Sequence, residues 1–284
     1  MLGLLKRENN RKKIQGGSNL CWKRACVSKI SNLVAVVLAK FGLAVIRTKS
    51  LEEVNKGMAF ERHRRIFSEY PYDLQSFSKL SEKSKSQLGQ DLLAVACSEA
   101  KRGGFFVEFG ATNGLELSNT YLLEKELGWS GILAEPAKVW HRDLEENRNV
   151  EISKVAVWSL SGETMKFLET SEPELSTLTR FSASDQHARK GTTYEVETLS
   201  LMDLLLSRNA PPYIDFISID TEGSEFEILE NFDFSKFSFG LLCIEHNYTS
   251  SRESVSLLLQ SNGYECILED VSRWDAWFVP VAVS

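Results

Sequence analysis

No stretch of this chain is both long and apolar enough to read as a bilayer span. The longest candidate, Leu33–Ile46 (LVAVVLAKFGLAVI), runs for fourteen residues and is interrupted by Lys40 and Gly42. A spanning helix needs roughly 20, so a polytopic membrane protein is excluded. The run also starts late for a signal peptide and has no clear small-x-small cleavage site after it. Cysteine is scarce and odd in number: Cys21, Cys26, Cys97, Cys243 and Cys266, with no CxxC. No Cys/His cluster has zinc-ligand spacing. Cys243 and Cys266 sit inside apolar runs, as small buried hydrophobes do. A reducing compartment, and hence a cytoplasmic location, is the expectation. No internal repeat is visible, which sets aside solenoids and propellers.

What is present is ordinary globular material. The chain has 284 residues, 43% hydrophobic and 25% charged, too apolar for wholesale disorder and long enough for a core without staples. The net charge of −6 is uneven. Residues 1–40 carry nine Lys/Arg against the single acid Glu8, a balance of +8, and the remainder carries −14. An acidic body argues against a nucleic-acid track. The basic head beside the apolar run suits peripheral contact of residues 1–46 with an anionic membrane. A solvated tail, or a helix packed on the domain, are the competing readings. The expected organisation is a basic head and short apolar helix at 1–50, a helical lead-in or linker at 51–85, and one domain at 86–284.

From Ser86 onward short apolar runs alternate with helix-period segments. Strands are expected at Phe105–Phe109, Gly131–Ala134, Val150–Val157, Tyr213–Ile219 and Phe239–Ile244. Helices are expected near Leu117–Leu127, Trp140–Arg148, Leu199–Ser207, Glu225–Glu230 and Glu253–Gln260. Tyr264–Leu268 and Trp277–Val283 read as a closing hairpin. The alternation implies an α/β fold with a mostly parallel sheet. The polar stretch Ser171–Tyr194 reads as a substrate-facing lid or an insertion.

The chemistry collects at strand tips. The first strand runs into Gly110-Ala111-Thr112-Asn113-Gly114, where glycine permits a sharp turn and close ligand approach. The spacing is G-x-x-x-G rather than G-x-G-x-x-G, and no Lys-Ser/Thr follows, so neither a dinucleotide fingerprint nor a P-loop is present. An oxidoreductase on a dinucleotide fold is the weaker alternative. Glu135, placed by Pro136 at the tip of the second strand, can accept hydrogen bonds from both ribose hydroxyls. Adenosine without pyrophosphate fits both features, and S-adenosylmethionine is the common ligand of that kind. Asp220 and Glu222 follow the fourth strand and can orient a hydroxyl, accept a proton or bind a divalent cation. Glu245 and His246 end the fifth, with His246 a candidate general base.

These blocks together resemble the FkbM family of S-adenosylmethionine-dependent methyltransferases, from about Ser86 to Val281. The resemblance rests on Ser86-Gln87-Leu88-Gly89-Gln90-Asp91, Phe106-Val107-Glu108-Phe109-Gly110-Ala111, Ser118-Asn119-Thr120-Tyr121, Gly128-Trp129-Ser130-Gly131 and Ala134-Glu135-Pro136. It continues through Asn147-Arg148, Ala156-Val157, Ser161-Gly162, Ile214–Glu225 and Ile244-Glu245-His246. Ser218 departs from a frequent family Lys, and Thr112-Asn113 from the usual pair. The resemblance implies a three-layer, Rossmann-like class I methyltransferase: a seven-stranded, mostly parallel sheet with a C-terminal antiparallel hairpin and helices on both faces. It also implies O-methylation of a sugar, glycan or other small hydroxylated metabolite. By that analogy Glu108, Gly110, Ala111, Asn113 and Gly114 surround the methionine part of the cofactor. Glu135 holds the ribose, and Ala156–Val157 lies near adenine. A catalytically silent module for membrane or protein binding is the remaining alternative.

Overall fold

The computed structural model describes residues 48–71 and 73–282. The basic head and the membrane contact expected of residues 1–46 lie outside the described residues. Among the described residues no helix is long and apolar enough to cross a membrane. The chain divides into two units, Met1–Gly57 and Met58–Ser284, and the second carries the fold.

Seven strands form the main sheet: β1 Phe105–Phe109, β2 Ser130–Ala134, β3 Glu151–Ser153, β8 Tyr213–Ile219, β9 Ser238–Glu245, β10 Tyr264–Ile267 and β11 Asp275–Pro280. Their order is β10-β11-β9-β8-β1-β2-β3. Four of the six neighbouring pairs are parallel. The two made by β11 are antiparallel, so the sheet is mixed. The expected hairpin forms, with β11 slotted between β9 and β10.

The apolar runs of β1 and β8 are nearly unbroken because both faces are covered. Val107, Phe109, Ile217 and Ile219 face one core, completed by helices α6 Leu201–Ser207, α7 Glu225–Glu230 and α8 Ser251–Ser261. Phe106 and Phe216 face the other, completed by Ile66 and Phe67 near the end of α1 Thr48–Glu69 and by α2 Leu74–Ser81, α3 Gln90–Cys97, α4 Tyr121–Leu127 and α5 His141–Asn147. Ile66 of α1 and Phe77 of α2 are buried in that second core, so residues 58–85 are packed into the same unit as the sheet.

A second sheet departs from the sequence reading. The single strand expected at Val150–Val157 is two strands. The chain turns at Lys154–Val155, so that Glu151–Ser153 stays in the main sheet as β3. β4 Ala156–Trp158 pairs instead with β7 Gly191–Ser200. With β5 Thr164–Thr170 and β6 Thr177–Leu178 these make a four-stranded sheet in the order β4-β7-β5-β6. Part of the expected lid, Thr177–Leu178 and residues 191–194, therefore belongs to this sheet. Ala156, Trp158, Phe167, Leu178 and Val196 form its own small core together with Ala137.

Candidate active site

Register positions the site. Phe109 pairs with Ala134 on one side and Ile219 on the other, and Ile219 pairs with Ile244. The next residues along these four strands are Glu135, Gly110, Asp220 and Glu245. They stand in one row at the carboxyl edge of the sheet, where ligands of open α/β folds bind. Asp275 of the reversed strand β11 pairs with Glu245 and extends the row.

The row borders a cleft of about 1150 Å³, part of it open to solvent. Glu108, Gly110, Glu135, Ala156, Val157, Asp220, Glu222 and Glu245 line it. Leu175, Ser176 and Leu178 close it from the second sheet. Ala111, Asn113, Gly114 and His246 do not line it.

Gly110 sits at φ 71°, and a Cβ there would lie 2.0 Å from the carbonyl oxygen of Asp220. Only glycine lets β1 leave the sheet against the turn after β8. Gly114 is also left-handed, but its neighbours are Leu144 and the Arg148 stem, each 2.6 Å from a Cβ built there. Its role is packing. The Asn113 side chain accepts from the N–H groups of Leu115 and Glu116, both at 2.9 Å, and so holds the turn.

Glu108 is buried and fully engaged. It accepts from the Ser118 hydroxyl, the Asn119 N–H and the Thr120 hydroxyl. Arg148, itself buried, stands 3.6 Å away and also bonds Glu124. Glu108 therefore fixes the loop ahead of α4, which presents Ser118 and Asn119 to the cleft. Asn119 Nδ2 donates to the Ser218 hydroxyl at 2.9 Å, while its Oδ1 is buried without a partner. Sequence reasoning quoted Asn119 in a motif and gave it no role.

Glu135 is buried at the far end of the row. Its two oxygens accept from Thr112 N–H at 2.8 Å and Ala137 N–H at 2.7 Å. Burial nonetheless pushes its pKa up to about 7. Each oxygen keeps a lone pair for a ligand hydroxyl.

The other end is acidic. Glu222, at φ 60°, pairs with the buried Arg189, which also grips Asp185. Burial still pushes Glu222 up to about 7. The carboxyl groups of Asp220 and Glu245 adjoin, and burial raises both well above the ordinary range, helped by the charges of Glu222 and Asp275 at Asp220 and of Asp220 and Glu222 at Glu245. Glu225 is consumed by the turn, accepting from Thr221 N–H, the Thr221 hydroxyl and Gly223 N–H. Asp275 is held by Gln90 Nε2 at 2.8 Å and Trp277 Nε1 at 3.3 Å. Gln90 lines the cleft from a position 185 residues away, which no sequence spacing signals.

His246 lies behind this wall. Its Nδ1 accepts from Tyr248 N–H at 3.0 Å, and its Nε2 is buried without a partner. Burial drives its pKa down to about 4. The imidazole thus carries its neutral-state proton on Nε2 and presents no free basic nitrogen to the cleft, against its expected place as general base.

A mostly parallel sheet with a glycine crossing after its central strand and a buried carboxylate at the tip of the next is an α/β arrangement of the Rossmann-like class. The family model for the methyltransferase FkbM domain matches residues 108–278, more than half of the chain. The protein belongs to that family, and is accordingly an S-adenosylmethionine-dependent methyltransferase. None of the curated proteins matches it. Among solved structures it is similar to precorrin-6y C5,15-methyltransferase from Geobacter metallireducens GS-15, with 10% identity and TM-score 0.39 over 68% of this chain and 87% of that one. It is also similar to the ribosomal protein L11 methylase from Lactobacillus delbrueckii subsp. bulgaricus, with 12% identity and TM-score 0.37 over 68% and 77%. A SAM dependent methyltransferase from Aquifex aeolicus gives 12% identity and TM-score 0.36 over 72% and 98%.

Proposed function

We propose that the protein transfers a methyl group to a hydroxyl oxygen of a sugar, glycan or other small hydroxylated metabolite. The carrying observation is the row of strand-tip residues: a buried Glu135 at one end, bare Gly110 between, and the carboxylates Asp220 and Glu245 at the other. S-adenosylmethionine, when bound, supplies an electrophilic methyl on its sulfonium. The cleft residues fit it. Glu135 accepts from the ribose hydroxyls, and Gly110 leaves the backbone open to close approach. The unpartnered Asn119 Oδ1 offers an acceptor to the cofactor's ammonium. Ala156 and Val157 give adenine an apolar wall.

Asp220 opens to the cleft and accepts the hydrogen bond of the incoming hydroxyl, so orienting its lone pair. The Asp220–Glu245 pair would take up the hydroxyl proton as the methyl passes from sulfur to oxygen, the S–CH₃ bond breaking and S-adenosylhomocysteine leaving as the neutral thioether. Positioning of this kind supplies much of the barrier reduction in a two-reactant transfer. Leu175 and Ser176 shape the acceptor's side of the cleft.

The test is incubation with methyl-labelled S-adenosylmethionine and a panel of sugars, glycans and small alcohols. Label recovered as a methyl ether is the expected result. Label on carbon or nitrogen overturns the oxygen assignment. Failure to bind S-adenosylhomocysteine favours a silent module. Asp220→Asn should lower turnover far more than cofactor affinity.

A further inference from the structure

Glu135 is tied to the second sheet as well as to the first. The loop that follows it, 136–139, gives three successive N–H groups to side chains. Ala137 N–H donates to Glu135 Oε1 at 2.7 Å, Lys138 N–H to the Tyr194 hydroxyl at 3.0 Å, and Val139 N–H to Glu169 Oε2 at 3.2 Å. The Tyr194 hydroxyl in turn donates to Glu169 Oε2 at 2.7 Å. Tyr194 stands on β7 and Glu169 on β5. The Tyr194 ring packs on Phe167, its register partner, with ring centres 5.7 Å apart. Phe167 itself lines the cleft. Ala137, in the middle of the loop, is fully buried in the small core of the second sheet. A surface turn could leave its N–H groups to water. Here each is held, and the first of them holds the carboxylate.

We propose that Tyr194 and Glu169 are positioning residues for the cofactor, holding loop 136–139 so that Glu135 meets the ribose hydroxyls with both oxygens. The ribose role of Glu135 rests on the methyltransferase reading above. A carboxylate accepts from two neighbouring hydroxyls only when its plane is set, and the donor that sets it here is Ala137 N–H. The second sheet is thereby part of the cofactor site and not only a wall for the acceptor. Glu169 also acts through its charge. Glu135 is faced by Glu108 from β1, Glu169 from β5 and Tyr194 from β7, and its carbonyl oxygen accepts from His141 Nε2 of α5 at 2.9 Å. Lys138, over the Tyr194 ring at 4.2 Å, is the cation on its own loop. The charges of Glu169 and Glu108 add to burial in raising Glu135. Removing the Glu169 charge while keeping its shape therefore changes the pH at which Glu135 ionises, which a mere brace would leave alone.

The experiment titrates adenosine and S-adenosylhomocysteine into the full chain by calorimetry between pH 6 and pH 8, with urea melts on the same samples. Tyr194→Phe should weaken adenosine about fivefold at pH 8, through loss of the hydroxyl that accepts from Lys138 N–H. Glu169→Ala should weaken it at least as much. Glu169→Gln restores the acceptor oxygen, so it should recover most of that loss at pH 8 and shift the midpoint of the pH dependence to lower pH. In a Glu135→Ala background Tyr194→Phe should cost little more, because the two act as one unit. Wild-type protein that binds both ligands while Tyr194→Phe and Glu169→Ala bind equally well overturns the positioning role and leaves the methyltransferase reading intact. So does a Glu169→Gln midpoint that stays in place, or a Tyr194→Phe loss that is fully additive with Glu135→Ala. If Glu169→Ala melts before it can be titrated, Tyr194→Phe and Glu169→Gln decide. Wild-type protein that binds neither ligand overturns the cofactor reading itself, and this role with it.

Discussion

Glu135 should make cofactor affinity depend on pH. With its pKa raised by burial to about 7, about a tenth of the side chain is ionised at pH 6 and about nine-tenths at pH 8. Ribose hydroxyls donate to a carboxylate, and the protonated acid competes by donating itself. Affinity for S-adenosylhomocysteine should therefore rise about tenfold from pH 6 to pH 8, worth about 1.4 kcal/mol. The free protein should move the other way. A carboxyl whose folded pKa lies above its ordinary value of 4.5 contributes stability that is full below 4.5 and lost as pH rises through 7. The loss is about 3 kcal/mol. Glu135→Gln should flatten both curves, because the amide keeps the shape and cannot ionise. Titration calorimetry at intervals across this range reads the first effect, with adenosine as a ligand lacking charge. Urea unfolding without ligand reads the second. A wild-type affinity that stays flat, or a slope that persists in Glu135→Gln, would refute the reasoning.

Gly110→Ala should abolish cofactor binding and cost several kcal/mol, since its Cβ meets the Asp220 carbonyl at 2.0 Å in a left-handed backbone; urea midpoints and calorimetry check this. Arg148→Met should destabilise by about 3–5 kcal/mol, the penalty for leaving buried Glu108 and Glu124 without their cation; loss of stability below about 1 kcal/mol in urea melts would contradict it. His246→Asn should keep S-adenosylhomocysteine affinity within about twofold, because the side chain does not line the cleft and Asn still accepts from Tyr248 N–H; a larger loss places the imidazole nearer the ligand than its contacts suggest.

Strands β1, β2, β8 and β9 were readable because each is a short apolar run closed by glycine or an acid. The same punctuation exposed Gly110, Glu135, Asp220 and Glu245, which are the first residues past those runs. Gly114 read as a close-approach glycine because a turn glycine and a cradle glycine look alike in sequence; its packing against Leu144 and Arg148, brought from afar, is visible only in the structure. The second sheet was illegible for a different reason. β5 (TMKFLET) and β7 (GTTYEVETLS) are exposed along much of one face, so they carry too few apolar residues to stand out from a polar insertion. Their pairing, with Thr164 opposite Glu197, is non-local. Arg189, set in that stretch, looked like a loop charge and is instead the buried counter-ion of Glu222.

The strand-tip row has a consequence for divergence. Neighbouring strands lie about 4.8 Å apart, so hydrogen bonding of the backbone, not any side chain, sets the spacing between the nucleoside end and the acidic end. Positions along the edge behave like pegs on a fixed lattice. Substitution can change which chemical group hangs on a peg, but moving a peg by a fraction of a step would require rebuilding the sheet. Descendants of this fold can thus exchange acceptors by editing the acidic pegs or the second sheet, while the distance across which a methyl must travel is inherited unchanged.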